Sequence, residues 1–349
     1  MLSGMLPAQT AHRVGDRFRN PWGPGSQEAG LGAALKWILI ERPRTWRRPS
    51  ITRSAFADRF PPVAPRFPTP RATAAELAIT WIGHSSFLIQ IGGRNLLVDP
   101  IWSARASPFQ WLGPRRWAPP GIAFDALPPI DAVLISHDHY DHLDDTTVRR
   151  LARLTPPPRW YAPLGVGAWL ERRGARDVME LDWWGATEWT DARFPSPLTL
   201  TATPAQHFSG RGVTNRDHTL WCGWGIRAAD RAVWFVGDTG RHPIFADIGR
   251  ALGPLDAILM PVGAYDPQSF MAPIHLEPED AVAGFSEAAA AAPNGDRPAT
   301  VMTAMHWGTF KLTDESMDEP PERTRRAWAA GGLPADRLWI PRHGETRVF

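Results

Sequence analysis

The feature that most constrains this sequence is a dense cluster of histidines and aspartates behind a short apolar run. Residues 132–135 (Ala-Val-Leu-Ile) are too few for a helix, follow two prolines and precede polar residues, which predicts a buried strand. Directly after this run, the pattern His-x-His-x-Asp-His places three imidazoles and a carboxylate within residues 137–142. The cluster is therefore expected at a strand end.

The segment after the cluster predicts a helix. Thr146 and Thr147 can cap its start. Its apolar positions recur every third residue, at Val148, Leu151 and Leu154. The cluster then lies on a strand-to-helix loop, where side chains converge from one backbone segment. Nitrogen and oxygen donors at this density indicate a divalent metal site, and the structural alternative is a solvated polar turn.

Other segments carry a family resemblance when they are taken together with this loop. They are residues 80–89, 98–100, 103–108, 204–209, 237–240 and 306–310. In this context the chain from about residue 75 to its C-terminus resembles the metallo-β-lactamase superfamily. Within that superfamily it is similar to the branch that contains N-acylphosphatidylethanolamine-hydrolysing phospholipase D.

The resemblance implies an α/β fold, an αββα sandwich of two mixed sheets flanked by helices with the metal site at one sheet edge. We expect residues 1–72 to form an N-terminal arm and residues 73–349 to form the catalytic domain. The residues themselves predict a hairpin across Gly92-Gly93, because glycine readily adopts the positive φ of such a turn. Further strands are predicted at 198–202, 232–236, 257–260 and 300–304, and helices at 278–292 and 322–330.

Carried over residue by residue, the family pattern implies a site for two divalent ions. The first ion would bind His137, His139 and His207. The second would bind Asp141, His142 and His306, with Asp238 bridging the two. Nitrogen and oxygen ligands suit Zn²⁺, which the resemblance favours, and also Mn²⁺ or Fe²⁺. Superfamily members with diiron redox chemistry typically have Glu where His139 stands, so hydrolysis is the expected reaction.

Five further residues are candidates for supporting roles. Asp99 could accept the free ring N–H of a ligating histidine, and His84 could approach the metals. His275 resembles the family histidine near the scissile group. The alternative is that His275 has no catalytic role and is only a neighbour of a helix cap. Tyr140 and Tyr265 could contact substrate phosphate or simply pack. The expected catalytic residues are Asp141, Asp238 and His275.

The expected reaction is phosphodiester hydrolysis by a hydroxide that bridges the two metals. The resemblance implies a substrate such as N-acylphosphatidylethanolamine. The alternatives are another small phosphoester or a lactone, and a non-catalytic binding protein stabilised by metal. Aromatic residues in the segment 102–117, at Trp183-Trp184 and at Phe270-Met271 could form an acyl-binding wall or fill the core.

Composition limits the partners and the compartment. A formal net charge of +2 gives no broad basic field, which argues against a nucleic-acid partner. The single cysteine, Cys222, excludes an intrachain disulfide and a thiolate cage, so a cytoplasmic protein is expected. The N-terminus lacks a secretory apolar region, and the run 31–40 is too short to span a membrane. A homodimer is left open.

The N-terminal arm alternates aromatic residues with arginines. Trp37, Trp46, Phe56 and Phe60 are interleaved with Arg42, Arg44, Arg47, Arg48, Arg53 and Arg59. This pattern is compatible with peripheral contact to the inner membrane face. The alternative is an arm that packs its aromatic rings onto the catalytic domain.

Overall fold

Two seven-stranded mixed sheets form the centre of the fold, and a short ribbon precedes them. The computed structural model describes residues 12–22, 50–212, 214–292, 294–295 and 298–349. The ribbon pairs β1 (Arg13–Val14) with β2 (Arg17–Phe18) in antiparallel fashion. The sequence motifs that predict a metal site follow strands of both large sheets.

The first sheet contains six consecutive strands and the last strand of the chain. These are β3 (Leu77–Gly83), β4 (Ser86–Ile91), β5 (Arg94–Val98), β6 (Ala132–Leu134), β7 (Arg159–Pro163), β8 (Val178–Leu181) and β16 (Thr346–Val348). Their spatial order is β16-β3-β4-β5-β6-β7-β8. The pairs from β16 to β5 are antiparallel and those from β5 to β8 are parallel. The sheet is therefore mixed.

The second sheet repeats this arrangement with strands from the middle and end of the chain. They are β9 (Ala186–Trp189), β10 (Leu198–Thr203), β11 (Gly223–Ala228), β12 (Arg231–Phe235), β13 (Ala257–Pro261), β14 (Val301–Met305) and β15 (Leu338–Trp339). Their spatial order is β15-β14-β13-β12-β11-β10-β9. The pairs from β9 to β12 are antiparallel, and those from β12 to β15 are parallel.

Helices cover the outer face of each sheet. They are α1 (Arg53–Arg59), α2 (Asp145–Leu151), α3 (Gly167–Glu171), α4 (Phe245–Leu252), α5 (Gln268–Met271), α6 (Pro278–Ala291) and α7 (Glu319–Ala330). Short 3₁₀ turns lie at Phe124–Ala126 and Ala335–Arg337. Side chains of α2 and α3 pack on the first sheet, whereas α4, α6 and α7 pack on one another beside the second. The predicted αββα sandwich is confirmed.

Strict alternation along the strands separates two apolar layers. On β5, Leu96 and Val98 contact the second sheet, while Leu97 between them faces the layer that contains α2. This follows from the period of two residues in a strand, which sends successive side chains to opposite faces. Because both faces are covered, central strands such as β6 and β13 are apolar throughout, whereas β10 alternates apolar residues with threonine.

Most predicted elements are found within one or two residues of their expected bounds. In the hairpin of β4 and β5, Gly92 and Gly93 have φ values of 57° and 76°, as the turn requires. The helix after the histidine loop differs, because it begins at Asp145 and ends at Leu151. The predicted caps Thr146 and Thr147 therefore lie inside the helix, and Asp144 is its N-cap.

The described parts of the predicted arm pack against the domain. Phe56 is fully buried and Phe60 is 9% exposed, so packing is the correct interpretation for these two rings. Arg59 of the same helix is paired with Asp318 and Glu322. Trp37, Trp46 and the run 31–40 lie outside the described residues, and the division at residue 72 stays a prediction. Within the described ranges, no helix has both the length and the apolar character needed to cross a bilayer.

Candidate metal centre

The site lies where strands of both sheets end at the same edge of the sandwich. In the first sheet, His84 follows β3, Asp99 follows β5 and the loop 136–144 follows β6. In the second sheet, the ends of β10, β12 and β14 lead to His207, Asp238 and His306. The predicted donors are separated by up to 169 positions in sequence and are brought together because these strand ends converge.

The three histidines predicted to bind the first ion lie close together and are called the first donor group. His137 Nε2 lies 2.9 Å from His139 Nδ1, and His207 Nε2 lies 3.2 Å from the same atom. His137 and His207 are essentially inaccessible to solvent. Three imidazole nitrogens that face one another at this distance leave most of their lone pairs without a donor, which is the arrangement that a cation satisfies.

The second group of donors contains the three predicted residues and one more. His142 Nε2 lies 3.4 Å and His306 Nε2 lies 3.5 Å from Asp141 Oδ2. His84 Nε2 approaches the same oxygen to 2.8 Å. His84, Asp141, His142 and His306 together have the spacing of a metal-binding group. His84 therefore lies beside the three residues predicted to bind the second ion.

Asp238 lies between the two groups. Its Oδ2 atom is 3.0 Å from His306 Nε2 and 3.2 Å from His142 Nε2 on one side. On the other side it is 3.9 Å from His207 Nε2 and 4.0 Å from His275 Nδ1. One carboxylate thus faces donors of both groups, which is the geometry that a bridging ligand needs.

A buried network fixes which nitrogen of His137, His142 and His207 faces the cluster. Asp99 is inaccessible to solvent and accepts a hydrogen bond from His142 Nδ1 at 2.7 Å and from Ser136 Oγ at 2.5 Å. Ser136 Oγ in turn lies 2.9 Å from His137 Nδ1. His207 Nδ1 donates to the carbonyl of Ile274 at 2.8 Å. With these Nδ1 atoms protonated, the Nε2 lone pairs point into the site.

Backbone strain is present at the same place. His84, Asp99 and His306 have φ values of 56°, 42° and 62°, in the left-handed region that non-glycine residues rarely occupy. Gly237, just before Asp238, has a φ of 72°, and a Cβ atom there would lie 2.6 Å from the carbonyl oxygen of Cys222. Strain of this kind persists where the surrounding structure imposes it, commonly at functional sites.

Electrostatics differ between the two donor groups. Burial lowers the pKa of His139 and of His207 to about 3, so these rings are neutral, which is the form that binds metal. Burial opposes protonation of His306 as well, but the carboxylates of Asp238 and Asp141 outweigh it and raise its pKa to about 9. Burial alone would raise the pKa of Asp238, yet the facing His142 and His306 hold it well below its usual value.

The chemistry of the donors fits divalent cations. Among the described residues, His142 Nε2, His306 Nε2 and Asp238 Oδ1 are buried without a hydrogen-bond partner. Buried polar atoms are rarely left unpaired in folded proteins, so atoms that converge in this way call for a ligand. A set of imidazole and carboxylate donors suits zinc, manganese or iron. The thiol of Cys222 is buried and belongs to none of the candidate metal groups among the described residues.

The two candidate tyrosines are placed differently. Tyr140 is half-buried and its hydroxyl donates to the carbonyl of Arg211 at 2.7 Å. Tyr265 is only 1% exposed and its hydroxyl donates to Glu319 at 2.8 Å. Substrate contact stays a prediction for both residues. The buried ring of Tyr265 and its hydrogen bond to Glu319 agree with the alternative that this residue packs in the protein interior.

Two residues at the site have no counterpart in the sequence predictions. Ser136 connects His137 to Asp99, and Asn20 contacts the backbone of His207. A serine at a strand end is common and gives no signal of its own. Asn20 lies in a segment that the sequence assigns to an arm, 187 positions from its partner.

Comparisons with known proteins agree with this geometry. The profile of the β-lactamase superfamily domain matches residues 94–307. An uncharacterised protein of Mycobacterium tuberculosis is 40% identical over 255 residues, which are 72% of this chain and 64% of that protein. The chain thus matches slightly less than two thirds of the mycobacterial protein's length.

A relative with a named activity and a solved structure complete the comparison. The Caenorhabditis elegans protein named N-acyl-phosphatidylethanolamine-hydrolyzing phospholipase D 1 is 36% identical over 256 residues, 71% of this chain and 69% of that protein. A metallo hydrolase of the archaeon Ignicoccus hospitalis has a TM-score of 0.58 at 22% identity and covers 79% of this chain and 99% of its own, which supports the fold alone. Together the profile and the named relative show that the chain belongs to the metallo-β-lactamase superfamily.

Proposed function

We propose that this protein is a phosphodiesterase of phospholipase D type that uses two divalent metal ions, most simply Zn²⁺, to hydrolyse N-acylphosphatidylethanolamine-like lipids. The products would be phosphatidate and N-acylethanolamine. The relative named as a phospholipase D of this specificity supports the substrate class. Donors in the positions that the family pattern predicts support the metal site.

The single observation that carries the proposal is the position of Asp238. Its Oδ2 atom faces His142 and His306 on one side and His207 on the other, so one carboxylate can serve two ions. His137, His139 and His207 would hold the first ion. Asp141, His142 and His306 would hold the second, with the carboxylate of Asp141 fixed by His84. Three or four protein ligands for each ion leave coordination positions open, as catalysis requires.

The chemistry divides between the ions and the protein. When bound, two divalent cations lower the pKa of a shared water and neutralise charge on phosphate oxygens. Asp238 and Asp141 would hold the two ions in position relative to the shared water. His275 Nδ1 is buried, has no hydrogen-bond partner among the described residues and lies 4.0 Å from Asp238 Oδ2. Burial holds its pKa well below the usual value, so a neutral His275 can hydrogen-bond the departing alcohol oxygen.

An apolar cluster beside the donors suits the lipid part of such a substrate. Phe208 packs edge-on against His139 with ring centroids 4.4 Å apart. It belongs to a cluster with Phe270 and Met271, which the sequence singles out as a candidate acyl-binding wall. Phe208 and Phe270 are only partly buried, so their rings remain available to a ligand. Trp183 is 3% exposed and belongs to the core, so this ring is not part of an acyl-binding wall.

A lipid substrate also requires contact with a membrane surface, and one exposed loop tip supports such contact. Trp111, Leu112 and Phe109 are 74%, 56% and 52% exposed. Arg115 and Arg105 flank this apolar tip in sequence. Partial burial of Arg53 lowers its pKa, and the nearby positive charges of Arg115 and Arg105 lower it further, so the three cations lie near one another. An apolar tip with a cationic surround is complementary to an anionic phospholipid bilayer. We therefore place the peripheral membrane contact at residues 109–112.

The base of this loop is hydrogen-bonded to the two segments that carry candidate metal ligands. Ser103 Oγ donates to Asp144 Oδ1 at 2.7 Å, directly after the histidine loop. The backbone N–H of Trp117 donates to the carbonyl of Thr309 at 2.7 Å, close behind His306. Docking of the tip would bring lipid headgroups toward the donors.

Turnover of two substrates tests the function. Vesicles that contain N-acylphosphatidylethanolamine and a soluble aryl phosphodiester are each given to the wild-type protein, and products are measured by mass spectrometry. We expect release of N-acylethanolamine from the vesicles and a loss of about 100-fold or more in Asp238→Asn. The surface variant Asp247→Asn is the matched control and keeps full turnover. Turnover of the soluble compound alone would favour the small-phosphoester alternative.

The loop tip is tested separately by vesicle sedimentation. Trp111→Ser should weaken binding to anionic vesicles and slow turnover of the vesicle lipid, while turnover of the soluble phosphodiester is unchanged. Met179, which is 41% exposed and lies on β8, offers the control Met179→Ser. Equal vesicle binding by Trp111→Ser and the wild type would contradict the assignment of the tip.

A further inference from the structure

We propose that the N-terminal segment 12–22 is part of the metal centre, and that Asn20 is a positioning residue which holds the metal ligand His207. The segment precedes the region that resembles the family and lies outside residues 94–307 of the profile match. The inference rests on the proposed function, because it takes His207 as a ligand of the first ion.

The contact between Asn20 and His207 is a two-point clamp. Asn20 Nδ2 donates to the backbone carbonyl of His207 at 2.8 Å. The backbone N–H of His207 donates to Asn20 Oδ1 at 3.1 Å. The side-chain amide thus pairs with both backbone polar groups of one residue, much as a neighbouring strand would. Asn20 is 8% exposed, so water does not readily replace it.

The clamp matters because His207 lies on a connection rather than on a strand. β10 ends at Thr203 and β11 begins at Gly223, so His207 is four residues past the end of its strand. The ring is oriented by the carbonyl of Ile274, which accepts from Nδ1 at 2.8 Å. The backbone on which this ring is carried is held by Asn20. Without the clamp, a buried N–H and a buried C=O would lose their partners.

The segment that carries Asn20 is itself anchored at several points. The backbone N–H of Phe18 donates to the carbonyl of Asp217 at 2.7 Å. The His12 ring stacks on Trp183 at 4.5 Å, and His12 Nε2 lies 2.7 Å from Asp182. Trp22 also stacks on Trp183, with ring centroids 5.7 Å apart. Asn20 is therefore presented from a fixed backbone.

The expected consequence is selective for one of the two ions. His137, His139 and His207 form the first donor group, whereas the second group contains no contact to the segment in the described residues. Loss of groups that orient a metal ligand typically weakens binding by about 10- to 100-fold. Removing the clamp should therefore weaken the binding of the first ion by this factor and leave the affinity for the second ion unchanged.

The experiment measures the affinity of both Zn²⁺ ions by competition with a chelator. Asn20→Leu removes both hydrogen bonds at similar volume, and Asn20→Asp keeps the acceptor but sets a carboxylate oxygen against the His207 carbonyl. Arg17→Ala is the control, because Arg17 lies in the same segment, is exposed and contacts only a carbonyl of Arg216 among its described bonds. The melting temperature of each chelator-treated protein reports on folding.

The inference predicts that both Asn20 variants bind one Zn²⁺ about 10- to 100-fold more weakly, that the other Zn²⁺ binds as in the wild type, and that excess Zn²⁺ restores turnover. Arg17→Ala should bind both ions normally. Unchanged affinity for both ions, or an equal loss for both that follows the loss in melting temperature, would overturn the role of Asn20. If the wild type itself bound no Zn²⁺, the proposed function would fail first, and the inference with it.

Discussion

The role of Asp99 gives a prediction whose size can be worked out from the structure. Asp99 accepts hydrogen bonds from His142 Nδ1 at 2.7 Å, from the Ser136 N–H at 2.7 Å and from Ser136 Oγ at 2.5 Å. Asp99→Asn is the sharpest perturbation, because asparagine has the same shape and tolerates the φ of 42° at this position. Alanine would add backbone strain to the lost contacts.

The magnitude follows from the number of donors that an amide can satisfy. Oδ2 serves His142 and the Ser136 hydroxyl, so the amide oxygen should stay there and the NH₂ group should face the Ser136 N–H. The Ser136 N–H and the new NH₂ group are then two buried donors without an acceptor, and each costs about 1–3 kcal/mol. The lost negative charge also makes His142 a weaker ligand. We expect the second ion to bind about 10- to 100-fold more weakly, or about 1.4–2.8 kcal/mol.

The assay is competition of the protein with a chelator for Zn²⁺, together with urea unfolding of the metal-free protein. Asp247→Asn, on the exposed face of α4, is the matched control, since Asp247 pairs only with Arg250 among its described bonds. Asp99→Asn should weaken the binding of one ion and, with two unpaired donors, destabilise the metal-free fold by about 2–6 kcal/mol. Two ions bound with wild-type affinity would refute the assignment of Asp99 as the partner that orients His142.

The remaining predictions concern pH and packing. Burial lowers the pKa of His306, but the carboxylates of Asp238 and Asp141 outweigh burial and raise this pKa from 6.5 to about 9. Protonation of His306 therefore stabilises the metal-free fold fully below pH 6.5, and this stabilisation is lost as the pH rises toward 9. Metal-free protein should therefore become less stable over this range while Zn²⁺ affinity rises, and chelator competition that is independent of pH would contradict this. Phe56→Ala should lower the free energy of unfolding by about 3–5 kcal/mol in urea, because the ring is fully buried; a loss below about 1 kcal/mol would disprove tight packing of α1.

The sequence points to candidate donors that the structure brings together, because their chemistry is local or repeated in position. The loop 137–142 carries its own density of ligands, and His207, Asp238 and His306 each follow an apolar run that becomes a strand. Strand ends that meet at one edge of a sheet bring such residues together whatever their distance in sequence. The period of apolar residues and the turn at Gly92-Gly93 similarly define the first sheet.

The contacts that complete the site could not be predicted, because they depend on tertiary placement. Ser136 is polar, small and unremarkable in sequence, and its function arises only when Asp99 comes within hydrogen-bond distance. Asn20 contacts His207 from a segment that composition assigns to an arm. Tyr265 stands beside a site motif, yet its hydroxyl is bound by Glu319 from α7.

The start of α2 shows a related limit at the level of single residues. The sequence offers Asp144, Asp145, Thr146 and Thr147 in succession, and all four are good residues for a helix N-terminus. The structure uses Asp144, whose carboxylate also accepts the N–H and hydroxyl of Ser103. This contact with Ser103 exists only in the folded chain, and local propensity alone does not distinguish among the four residues.

We propose that seven side chains, with Asp238 at their centre, bind two metal ions. A crystal of the protein loaded with Zn²⁺, measured on both sides of the zinc absorption edge, tests it directly by anomalous difference maps. The account predicts two peaks, one among His137, His139 and His207 and the other among Asp141, His142 and His306, with Asp238 in contact with both. No peak at this edge of the sandwich, or a single peak that Asp238 does not contact, would contradict it.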